Sequence, residues 1–238
     1  MIRAQTKKSG SNVFIRVGGS MSPLLLGLII FLMEMLSSFI SILVGYYALK
    51  GYKASSAKEL LFLYLGFIIL GVGIFLRAIT AAYFVLAVRT ADVVPSSLAG
   101  LSNLAGLVFT LTQLTAYGLF VATYAFQAKG LSQQSIELGG IAAAAIFPIA
   151  RLFYIPTLEI MAITMLGFVA VSSLLNWLQR RTLNSALVFL GFGFMFFSHI
   201  LFLFMIIDEV LLFFGQITQL VGFMCLLLML SRVNKTHA

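Results

Sequence analysis

The chain has 238 residues, of which 61% are hydrophobic and 9% charged, with a formal net charge of +8, one Cys and four Pro. A soluble domain is roughly half apolar and about a quarter charged. This composition therefore excludes a soluble globular protein, a disordered chain and a disulfide-stapled secreted domain, and leaves an all-α polytopic membrane protein.

Residues 1–20 form a basic tail too polar for a signal-peptide core. About 20 apolar residues carry a helix across the hydrocarbon core, and seven segments then meet that length. The first three are Pro23–Leu49, Glu59–Val88 and Ser97–Phe126. The fourth and fifth, Glu137–Tyr154 and Pro156–Leu178, abut with Pro156 as the only breaker between them. The sixth is Leu183–Ile207 and the seventh Glu209–Ser231, followed by a short tail over 232–238. Runs of this length are not barrel strands, which alternate over about ten residues. The loops Gly51–Lys58, Arg89–Pro95 and Gln127–Ser135 hold no soluble domain. The expectation is one bundle of seven transmembrane helices over residues 21–231.

With an odd helix count, Lys50, Lys53, Lys58, Lys129, Arg180, Arg181, Arg232 and Lys235 share one face, against Arg89, Asp92, Asp208 and Glu209 on the other. The positive-inside rule makes the first face cytoplasmic, with the C-terminus in the cytoplasm and the N-terminus outside a cell membrane. Arg3, Lys7, Lys8 and Arg16 oppose this, so a translocated tail, a start at Met21 and an inverted bundle compete. The +8 charge thus reads as an orientation signal in contact with the lipid bilayer, and it is no footprint for nucleic acid.

A parallel internal repeat is suggested by Leu65-Gly66-Phe67 beside Leu190-Gly191-Phe192, and by Thr112-Gln113-Leu114 beside Thr218-Gln219-Leu220. It pairs segments one to three with five to seven and leaves the fourth as a linker, a 3+1+3 layout. Chance similarity in apolar sequence is the competing reading. The layout resembles that of SWEET-type sugar uniporters, and more loosely microbial rhodopsins. The resemblance covers arrangement only. The uniporters' hinge prolines have no clear counterpart, because Pro23, Pro95 and Pro156 sit near helix ends and only Pro148 is mid-helix.

Polar side chains inside membrane helices are costly and so carry the functional information. Counted at about 1.5 Å per residue from the basic face, Glu34, Gln113, Arg151 and Gln216 lie about 24 Å up, and Arg77 and His199 about 27 Å. Gln219 lies one turn below Gln216. Six helices thus place a polar group in one slab in the outer half of the bilayer. Faces agree: Glu34, Ser37, Ser38 and Ser41 share a stripe, as do Gly106, Thr110, Gln113, Tyr117 and Tyr124. Gly66, Gly73 and Arg77 share a third, and Gly215, Gln219 and Gly222 a fourth. The candidate ligand-binding residues are Glu34, Arg77, Gln113, Arg151, His199, Gln216 and Gln219. A Glu34–Arg77 pair that merely fixes helix register is the competing reading. Glu159, Asp208 and Glu209 lie higher and could neutralise Arg151. His199 is either a titrating element or a hydrogen-bonded packing residue.

Enzymatic and cofactor chemistry lacks its parts. Two His and one Cys supply no haem pair, metal cluster or redox dithiol, and Cys225 reads as a small buried apolar residue. No lysine lies mid-helix for a Schiff base. No HExxH, GxSxG or phosphate-cradling glycine loop is present. No metal and no cofactor is expected. Three non-enzymatic functions remain. One is a bundle that binds or senses a small molecule, lipid or proton and acts through a protein partner at the basic loops. The second is a solute transporter. The third is a structural subunit of a larger membrane complex.

Overall fold

A computed structural model describes residues 23–90, 96–127, 155–208 and 210–236. Within them lie six helices: α1 (Pro23–Ser55), α2 (Lys58–Thr90), α3 (Ser96–Gln127), α4 (Ile155–Arg180), α5 (Leu183–Leu203) and α6 (Val210–Thr236). A 3₁₀ turn, Phe204–Ile206, follows α5. All six helices are long and apolar enough to cross a membrane. The expected fourth segment, Glu137–Tyr154, lies outside the described residues, as do Met21 and the N-terminal tail.

The helices overrun the expected boundaries where basic residues were read as loop. Lys50 and Lys53 are helical, and the α1–α2 connection shrinks to Ser56 and Ala57. Continuing the helix satisfies backbone groups that a loop near lipid would leave unpaired, while the long lysines stay exposed. Ser56 takes a left-handed conformation (φ 55°), and its N–H donates to Tyr52 O at 2.7 Å. The α4–α5 turn ends the same way: Arg181 has φ 48° and its N–H donates to Trp177 O at 2.7 Å. Thr182 then caps α5, accepting from the Ser185 N–H. At the other end of the bundle, Asp208 caps α6 through Val210 N–H.

Among the described residues, helix backbones approach only their ring neighbours, in the order α1, α2, α3, α4, α5, α6 and back to α1. Asn234 closes the ring, its Nδ2 donating to Tyr47 O at 3.2 Å. Directions follow from the cross-contacts. Tyr117 and Tyr124 of α3 meet His199 and Phe192 of α5, so those helices are antiparallel. Glu159 and Trp177 of α4 meet His199 and Phe189 of α5 in the same sense. Hence α3 and α4 run parallel. So do α6 and α1, since Gln216 faces Glu34 and Asn234 faces Tyr47.

Faces divide as their small and large residues dictate. Leu25, Leu28, Leu32, Leu36 and Phe39 of α1 point outward, while Ser37, Ser38 and Ser41 are buried. Ser38 and Ser41 donate to the Gly71 and Phe67 carbonyls of α2, each at 2.8 Å. Glycine is required where Gly66 meets Phe120 and the Ala116 carbonyl, and where Gly191 meets Leu226 and the Gly222 carbonyl. A methyl group at either position would collide with its neighbours. The core centre is aromatic: Phe67, Phe120, Phe192 and Phe223 come from four helices and are at most 1% exposed. Their rings touch in sequence, Phe223–Phe67, Phe67–Phe120 and Phe120–Phe192. Cys225 is half-buried rather than buried, so it is not a core residue.

Candidate functional site

About two helical turns from the aromatic centre, toward the end opposite the basic turns, the polar residues form two groups. The first joins α1, α2 and α6. Arg77 Nη2 lies 2.8 Å from Glu34 Oε1. Gln216 Nε2 donates to the same oxygen at 3.5 Å, a marginal bond. Phe109 of α3 lies against the guanidinium, its ring centroid 4.0 Å from Cζ, in cation–π geometry. Gly73 makes this approach workable. One turn from Arg77, it admits Thr112 against the α2 backbone and so draws α3 inward.

This group is incompletely paired. Ser37 Oγ, Arg77 Nε and Gln216 Oε1 are buried and have no hydrogen-bond partner among the described residues. An unpaired buried polar atom costs about 1–3 kcal/mol, so three of them call for an explanation. Two of them sit on groups already touching Glu34 Oε1, which puts them within about 6 Å of that oxygen by covalent geometry. Ser37 lies one turn along the same face of α1 as Glu34.

The second group joins α3, α4 and α5 and is a directional chain. Gln113 Nε2 donates to Tyr117 Oη at 3.2 Å. Tyr117 Oη lies 2.6 Å from His199 Nε2, and His199 Nδ1 lies 2.7 Å from Glu159 Oε2. With Nδ1 carrying the proton toward the carboxylate, Nε2 accepts from the phenol, and each donor points along the chain. Gln113 Nε2 also stands 3.2 Å from His199 Nε2. His199 is 1% exposed, while the Glu159 side chain keeps 23%. Tyr117 and Phe202 meet the imidazole edge-on and fix its plane. Gly215, next to Gln216, packs on that same Phe202 ring, so the two groups share a wall.

The structure thus brings Glu34, Arg77 and Gln216 together, and separately Gln113 and His199. Gln219 is buried on α6 and, among the described residues, has no hydrogen bond to either group. Arg151 lies outside the described residues. Ser37, Phe109, Tyr117 and Glu159 were not singled out from the sequence as site residues, although Ser37 stood in the α1 stripe. Tyr117 was visible four positions from Gln113 in the α3 stripe. Glu159 was noted but matched to Arg151, and it is His199 that it meets. Among the described residues, no three His, Cys, Asp or Glu side chains gather to hold a metal ion.

Comparison of the chain with protein-family models, curated proteins and solved structures gives no match. The functional reading therefore rests on the geometry.

Proposed function

We propose that this chain is a non-enzymatic membrane bundle that binds a small molecule in its polar layer and passes occupancy to a partner at the basic end. The observation that carries the reading is the unpaired trio in the Glu34 group. A layer that only held helices in register would gain by pairing or losing those atoms. Lys50, Lys53, Lys58, Arg180 and Arg181 are exposed together at one end and provide the docking surface for output. The orientation we infer has that end in the cytoplasm.

We also propose seven spans and a parallel repeat. Parallel α3 and α4 support the seventh, because a chain leaving α3 at one end must cross back before entering α4 at the other. The repeat is supported by register. One constant spacing relates Glu34, Tyr52, Ser56, Gly66 and Phe67 to Glu159, Trp177, Arg181, Gly191 and Phe192. A second relates Gln113, Ala116 and Phe120 to Gln219, Gly222 and Leu226. The left-handed turns and the two glycine contacts are equivalent under these spacings. Each half then places an acid on its first helix and a base on its second, Arg77 in one and His199 in the other. Each third helix sends a glutamine to the other half's pair.

The repeat is also what favours a second reading, solute transport, since many carriers are built from repeats with a site near mid-membrane. The aromatic centre weighs against it by closing the route toward the basic end. Uptake assays in proteoliposomes separate the two. Solute uptake that vanishes in Gln113→Ala selects transport, whereas a stable co-purified partner without uptake selects sensing.

A further inference from the structure

We propose that the Glu34 group binds the hydroxyl group of an uncharged ligand, a refinement that rests on the binding reading above. Charge decides the class first. Glu34 and Arg77 already neutralise one another at 2.8 Å, and Phe109 covers a face of the guanidinium. An added anion or cation would leave a net buried charge, which a low-dielectric interior opposes strongly.

The unpaired atoms then decide the chemistry. Arg77 Nε–H requires an acceptor, Gln216 Oε1 requires a donor, and Ser37 Oγ takes either role. One hydroxyl answers all three. Its oxygen accepts from the guanidinium and from Ser37, and its proton goes to the Gln216 carbonyl. An ionised carboxylate or phosphate offers acceptors only and leaves Gln216 Oε1 unanswered. An apolar ligand answers none of them. Two sources can present this chemistry: a soluble polyol, or a lipid alcohol arriving past the Arg77 side chain, which keeps 29% exposure.

The test uses the full chain in phosphatidylcholine nanodiscs with three probes: erythritol, dioctanoylglycerol and dioctanoyl phosphatidic acid. Thermal unfolding is followed over a range of each. One neutral probe is expected to raise Tm saturably, erythritol marking a soluble source and dioctanoylglycerol a lipid one. Ser37→Ala loses only an unpartnered hydroxyl, so it is expected to match or exceed the wild-type Tm without probe. It should bind the active probe about tenfold more weakly, the worth of one hydrogen bond. Gln216→Met serves as a second variant with the same expected loss. If phosphatidic acid binds more tightly than its neutral parent, the hydroxyl class is overturned while the binding reading stands. Should no probe move the wild-type Tm, both fall and the layer is architectural.

Discussion

In the His199 group both ring nitrogens, the phenol and the glutamine amide nitrogen are engaged, whereas three buried atoms of the Glu34 group have no partner among the described residues. Both groups set a carboxylate on the first helix of a hairpin against a base on the second. Their difference lies in completion. The imidazole offers two nitrogens, and the layer supplies a partner to each. The guanidinium offers five N–H donors in a rigid fork, and Glu34 meets one edge of it. A closed group stiffens the helices it joins. An open one retains capacity for a ligand.

Mutations can break this contrast. The largest effect is expected from Glu34→Ala, which strips Arg77 of its counter-charge; removing one member of a buried pair costs about 3–5 kcal/mol. Thermal or denaturant unfolding in nanodiscs measures it. Exchanging both residues, Glu34→Arg with Arg77→Glu, recovers the loss if the pair only sets register. Normal expression without recovery points to ligand contact.

Next in size is His199→Leu, which leaves Glu159 and Tyr117 facing an apolar side chain, at about 2–3 kcal/mol. Gln216→Leu, by contrast, removes an unpaired carbonyl and one marginal bond, and should fall within about 1 kcal/mol of wild type. Equal losses in the two variants would erase the distinction between closed and open groups. Between His199→Leu and Gln216→Leu in size are Gly66→Ala and Gly191→Ala, each expected to cost about 1–3 kcal/mol through overpacking. Similar values support equivalence of the halves, and a loss at one site alone argues against it. Smallest are Ser56→Gly and Arg181→Gly, which relieve left-handed turns and should each add about 0.5–1 kcal/mol.

Much of this layer was legible before any coordinates. Glu34, Gln113 and Gln216 could be placed at one depth because helical rise is fixed, and the serine stripe of α1 named its inward face. Partner choice was not legible. Glu159 was placed above the polar slab and matched to Arg151, yet the Glu159 and His199 side chains are long enough to close that gap. That choice depends on which helices adjoin in the ring. Apolar residues facing lipid and apolar residues facing the core look alike in sequence, so ring order leaves almost no trace there. The reach of Gln113 beyond its own helix to His199 of α5 is likewise a property of the assembled bundle.

The placement of acids and bases also dictates how the molecule can be built. Glu34 and Arg77 belong to α1 and α2, and Glu159 and His199 to α4 and α5. An isolated charge at the centre of a lone inserting helix costs about 2.5–3.5 kcal/mol on insertion scales. Here each acid can pass into the bilayer beside its own base, as part of one hairpin emerging from synthesis. Gln216 and Asn234, which tie α6 back to α1, follow both hairpins along the chain. Chain order thus places two hairpins with internally paired acids ahead of the contacts that close the ring.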